Sequence, residues 1–302
     1  MQSQNSLNLS NGIFFKLKSS FKKLYKNSNF YEKRISKTFD NNFEYKPSPH
    51  LLSSIIKYQK KKYKIEDFVT ETIWTNNISS KDFKKLNNFF WFFSLDLKSS
   101  KETTQSIILN WINKNEKFDE NIWEFNITAK RIIAWLSNHQ LTYEDSNEEY
   151  RLYFNHMLQK QTNHLLNEIK NLDETEEKLI GCAAIILTGL AYKDEKNYLD
   201  SGLNILKNLI KHSLDKQGFP KSRNIQNLVF YLKYLIIIRE WFKESQNPIP
   251  EYVDETIYYL GSSYAFIWQN IKQDIFFNGN YSSNHNEFDQ YLKRFGYTFK
   301  NQ

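Results

Sequence analysis

Residues 179 to 191 read Leu179-Ile180-Gly181-Cys182-Ala183-Ala184-Ile185-Ile186-Leu187-Thr188-Gly189-Leu190-Ala191 and carry no charge. Leu179, Ala183, Ile186 and Leu190 recur at steps of three and four, the spacing that lines side chains along one face of an α-helix. Gly181 and Gly189 predict that a neighbouring helix approaches closely. Upstream, Phe154, Leu158, Leu165 and Ile169 place another helix over about residues 147 to 169, joined to the first by the short polar link Asn171-Leu172-Asp173-Glu174. A link this short makes consecutive helices antiparallel neighbours. The pair sets the fold class: all-α, helix packed on helix.

The same period runs outward in both directions. Phe83, Leu86, Phe90, Phe93 and Leu97 form an earlier stripe, and Leu199, Leu203, Leu206 and Ile210 a later one. Leu228, Tyr231, Leu235, Ile238 and Phe242 follow, then Val253, Ile257, Leu260, Tyr264, Ile267 and Ile271. Each stripe is read as core. Repeated helix pairs with similar links predict an incomplete (α/α) toroid of antiparallel pairs, and no tetratricopeptide, ankyrin or HEAT consensus is present. The expected division is a loosely structured basic leader over 1 to 75 with a short helix near 12 to 26, a helical domain over 76 to 275, and a tail over 276 to 302. Ile275-Phe276-Phe277, followed by Asn278-Gly279, reads as a short strand. All five prolines fall between periodic segments, as helices require.

Of a net charge of +7, residues 1 to 64 carry a surplus of +11, which leaves −4 for the remainder. The basic excess is local, so a general nucleic-acid role is not expected, although the leader could meet an anionic surface. The most apolar stretch, Leu228 to Phe242, is interrupted by Lys233 and Arg239 and falls short of the ~20 apolar residues that a crossing needs, so it reads as a buried helix. No secretory signal is visible, because lysines follow Ile13-Phe14-Phe15 at once, and a cytoplasmic location is expected. The single cysteine, Cys182, excludes an intrachain disulfide.

The run Trp123-Glu124-Phe125-Asn126-Ile127-Thr128-Ala129-Lys130-Arg131-Ile132-Ile133-Ala134-Trp135-Leu136 resembles the Trp, Arg and Asn-Trp-Leu pattern that opens the toroid of heparinase II/III-like proteins. Three further stretches resemble that family in order: Phe89 to Leu97, Lys178 to Ala191, and the loop Asp215-Lys216-Gln217-Gly218-Phe219-Pro220-Lys221-Ser222-Arg223-Asn224, similar to one carried by bacterial members. The resemblance spans about residues 75 to 280. It implies an α/α toroid of a polysaccharide lyase relative, with an anionic saccharide as ligand and a β-sandwich domain as partner that would begin where the tail lies.

Lyase chemistry removes the proton beside a uronate carboxylate, which needs a neutraliser and a proton-moving side chain. The family's Asn-His-Leu-Leu falls on Glu176-Glu177-Lys178-Leu179, and its tyrosine falls near Gln226 or Asn227. Asn163-His164-Leu165-Leu166 lies one helix too early. No catalytic residue is assigned, and β-elimination by this chain alone is not expected. Candidate saccharide contacts are Thr128, Arg131 and Trp135, which share a helix face, and Arg223 and Asn224, which open a helix after a Gly-Phe-Pro turn. The competing reading makes Arg131 a residue packed on Trp and paired with Glu124 or another local acid, and Asn224 or Ser222 a helix cap. His139, His156, His164 and His212 lack metal-ligand spacing; no metal and no cofactor is expected. A helical scaffold for a protein partner is the alternative function.

Overall fold

The computed structural model describes residues 20–39, 43–55, 64, 79–192, 196–269, 275–277, 280–282 and 286–299. Helices joined by loops and turns make up all of them apart from one hairpin and isolated bridges. After a turn of helix at 20–26 come α1 (Asn29–Ile35), α2 (Pro49–Ile55), α3 (Ser80–Asn87), a 3-10 segment (Phe90–Ser94), α4 (Lys101–Lys114), α5 (Phe125–Ser137) and the short α6 (His139–Thr142). Then follow α7 (Glu148–Glu168), α8 (Thr175–Ala191), α9 (Lys196–Ser213), α10 (Ile225–Glu244), α11 (Glu251–Tyr264, continued by a π-turn to Gln269) and α12 (Asn286–Arg294). The expected strand forms as β1 (Ile275–Phe277), antiparallel to β2 (Asn280–Ser282), with Phe276 opposite Tyr281.

Helix α8 lies at the centre. From Leu179 to Ala191 every residue is buried, and α5, α7, α9 and α10 all pack against it. Its glycines allow this: a Cβ at Gly181 would collide with the Phe125 ring of α5, and one at Gly189 would collide with the backbone of Leu199 on α9. Helix α10 is the buried helix that Leu228 to Phe242 foretold, and no helix among the described residues is long and apolar enough to cross a membrane. Ile271, at the end of the last stripe, lies outside the described residues.

Two expectations are corrected. The stripe from Phe83 to Leu97 is not one helix, because α3 ends at Asn87 and Phe89 takes a left-handed conformation (φ 56°) before the 3-10 segment. That break turns Phe89 into the core, where its ring meets Trp111 and Trp135 edge-on. Trp111, Trp123 and Trp135 are buried, whereas Trp91 is only half-buried. The leader is not loose where it is described. Residues 20–39 lie along α7, while residues 12–19 of the expected first helix fall outside the described part.

The grip on this segment is polar and regular. His156, Gln159, Lys160, Asn163, His164 and Glu168 follow one another along α7 at helical spacing. Gln159 exchanges two hydrogen bonds with the backbone of Phe39, and Asn163 donates to the carbonyls of Ile35 and Lys37. Lys160 pairs with Glu32, and Glu168 receives Lys22 and Lys26. Tyr31 and Ile35 are buried beneath.

Candidate functional site

Arg131 is fully buried, and its partners define its role. Nε donates to Gln161 Oε1 (2.8 Å), Nη1 to the carbonyls of Asn87 (2.8 Å) and Ile122 (3.2 Å), and Nη2 to Thr128 Oγ1 (3.3 Å). Its guanidinium lies over the Trp111 ring at 4.1 Å. None of these partners is a carboxylate: Glu124, the local acid, is paired with Lys84 instead. Asn87 closes α3, so the guanidinium reaches a carbonyl that the helix end leaves unpaired. Asn87 Oδ1 meanwhile accepts from Trp111 Nε1 (2.9 Å). Burial alone pulls the Arg131 pKa down, yet an arginine stays charged at any ordinary pH. Thr128 and Trp135 are buried beside it, so the structure does bring these three together, around the end of α3 and not around an opening.

Arg223 and Asn224 stand elsewhere. The turn from Leu214 to Pro220 is closed by an isolated bridge, with Gly218 at φ 71° and Arg223 itself at φ 57°. Arg223 pairs with Asp215 (2.9 Å) and covers the Phe219 ring, while Asn224 caps α10 by accepting from the Gln226 amide (2.9 Å). Half of the Arg223 side chain is exposed, so it is the most accessible of the five candidates. Glu176 is exposed in the first turn of α8, where a carboxylate suits the helix dipole, and Gln226 is exposed on α10.

The histidines separate by burial. His164 Nε2 donates to the Trp123 carbonyl (2.9 Å), which can only accept; Nδ1 must then accept from the Tyr31 hydroxyl (2.7 Å). Burial pulls its pKa down to about 3, so it is neutral at physiological pH. His156 is also lowered by burial and meets Thr38 Oγ1 at 2.8 Å. His139 lies 3.3 Å from Glu144, within a cluster that includes Lys46 and Lys101. No group of three or more metal-ligating side chains converges among the described residues. The thiol of Cys182 is buried and pushed upward by desolvation, which makes it inert.

An opening lies on α7 beside Phe39. It encloses about 630 Å³, within the range of small-ligand sites. Phe39 and Tyr153, each about half exposed, offer ring surfaces; Asn113, Glu116 and His156 offer polar groups; and Ile112 and Met157 close the apolar wall. No lysine or arginine lines it among the described residues. Sequence reasoning missed this cleft because its residues come from three separate segments and share no motif. Only His156 had been singled out. A smaller hollow of about 280 Å³ lies between α2 and the 3-10 segment, beside Pro49, Phe92, Asp96 and Asn138.

Comparison with family models, with curated proteins and with solved structures finds no match to this chain.

Proposed function

We propose that this chain is a saccharide-binding helical module related to the heparinase II/III-like toroids, that it does not catalyse β-elimination alone, and that it binds at the cleft between Phe39 and α7. The observation that carries the reading is the cleft itself: two half-exposed aromatic rings beside Asn113, Glu116 and His156, in a volume suited to one or two sugar rings. Sugars present apolar ring faces and rows of hydroxyls, and this lining matches both. Among the described residues its one formal charge under neutral conditions is Glu116, so the ligand class shifts from the anionic saccharide that the resemblance implies to a neutral one. The order of motifs from Phe89 to Asn224, together with consecutive helices that pack on one another, supports the incomplete toroid and the β-sandwich partner as parts of the same reading.

The test is calorimetric titration with neutral oligosaccharides, run beside heparin and alginate fragments. Neutral glycans should bind independently of salt, and Tyr153→Ala should weaken binding about tenfold. Binding confined to the acidic polymers, or unchanged in Tyr153→Ala, would refute the cleft. Growth of the unsaturated-uronate ultraviolet band would refute the non-catalytic part. One observation favours the alternative of a protein scaffold: Tyr258, Tyr259 and Phe266 stand exposed along α11 and its π-turn. Tyr258→Ser with Phe266→Ser should then abolish capture of a partner while leaving glycan titrations unchanged.

A further inference from the structure

The turn of helix at 20–26 is held to α7 through Lys26 and leaves its apolar side chains exposed. Of its lysines, Lys26 is mostly buried and Lys22 nearly half exposed where they converge on Glu168 at 2.6 and 3.0 Å, while Lys23 stays in solvent and reaches the exposed Glu120 at 2.8 Å. Its apolar residues face outward. Phe21 is 68% exposed and Leu24 69%, and Phe30 at the start of α1 is 69% exposed. Phe21 and Tyr25 lie one turn apart, and the Tyr25 ring touches the Phe30 ring at 6.2 Å between centroids, so the side chains form one continuous patch. An amphipathic helix docked for stability alone would bury Phe21 and Leu24.

The surroundings say what covers the patch. Residues 20 to 39 hold six Lys and Arg against one acid, Glu32. Lys33 and Lys37 stand exposed beyond Phe30, and the exposed Arg34 donates to the Tyr25 hydroxyl. Outward phenylalanine and leucine with a cationic border is the chemistry of a helix lying in a lipid interface: the apolar groups enter the acyl boundary while the cations meet anionic headgroups. A nucleic acid would use the cations but gain little from Leu24, and an acidic protein segment would not need three large apolar side chains so fully in water. We propose that this patch docks the chain on an anionic membrane surface, with Phe21, Leu24 and Phe30 inserted and Lys33 and Lys37 on the headgroups. The opposite side of the segment stays pinned to α7 through Glu168, so the membrane would hold the whole helical body and not a loose tail.

The experiment is co-sedimentation of the full chain with vesicles of phosphatidylcholine containing phosphatidylserine, beside vesicles of phosphatidylcholine alone. Binding should favour the anionic vesicles at least tenfold and fall steeply between about 0.1 and 0.5 M salt. Phe21→Ser with Leu24→Ser should weaken it about tenfold or more. Lys33→Glu with Lys37→Glu should do the same. Circular dichroism checks that each variant is folded, and Tyr258→Ser is the exposed-aromatic control, expected to bind like the parent. Equal binding to both vesicles, or none, overturns the proposal. So does binding unaffected by the double serine variant. Equally fatal would be tight binding to single-stranded nucleic acid that survives loss of Phe21 and Leu24, or a dimer in sedimentation velocity that the serine variant dissolves.

Discussion

The Arg131 guanidinium is fully buried and spends its donors on the carbonyls of Asn87 and Ile122, on Gln161 and on Thr128. Sequence spacing put it on a face with Thr128 and Trp135, and that face is real, but the guanidinium closes the end of α3 instead of meeting solvent. The signal that was missed is Asn87-Asn88 inside an apolar stripe, a helix stop whose bare carbonyl needs a donor. Arg131→Ala should therefore cost about 3 to 5 kcal/mol in urea unfolding, because it strands the carbonyls of Asn87 and Ile122 and leaves a cavity under Trp111. A loss below about 1 kcal/mol would mean that water takes over those contacts. His164 makes a second residue-scale forecast. Its folded pKa, about 3, lies below the ordinary 6.5, so between these values the unfolded chain binds more protons. Stability should fall as pH drops from 6.5 toward 3, by at most about 1.4 kcal/mol per pH unit from this group. Comparing urea midpoints of the parent and His164→Gln over that window should show the flatter slope in the variant.

At the scale of elements, legibility followed the uniformity of the environment. Helices α8 and α10 are surrounded by other helices, so their apolar period was unbroken and their bounds were readable. The stretch from Phe83 to Leu97 kept its apolar composition through a helix, a left-handed residue and a 3-10 segment, and composition cannot register a change of backbone path. Periodicity likewise finds apolar faces and misses polar ones, which is why the row from His156 to Glu168 went unread as a docking face. Gly189 tests the packing reading. Alanine is the better helix former by about 1 kcal/mol, so propensity alone favours Gly189→Ala. The new methyl would meet the backbone of Leu199, which has no flexible end to yield. Net destabilisation of about 1 to 3 kcal/mol is expected in thermal or urea melts; a gain in stability would show that α8 and α9 can separate freely.

For the molecule as a whole, the decisive question is whether residues 20–39 belong to the helical body or merely rest on it. Tyr31 and Ile35 are buried, each worth about 1.5 to 3 kcal/mol on removal from water. Beneath them the Tyr31 hydroxyl satisfies His164, and Lys26 lies over the Phe118 ring. Removing the segment would leave Lys160 and Glu168, now buried and ion-paired, without their partners Glu32, Lys22 and Lys26 beside Trp123 and Phe118. A domain of ordinary stability holds only about 5 to 15 kcal/mol, so losses of this size use up most of it. Deletion of residues 1 to 39 should therefore lower the melting temperature sharply, or give a chain with helical circular dichroism, no sharp melt and binding of hydrophobic dye. The alternative of a dispensable leader predicts that the shortened chain melts within a few degrees of the parent, with Trp123 fluorescence unshifted. That pair of observations would remove the segment from the fold, and with it the cleft wall at Phe39 and the anchorage of the exposed patch on α7.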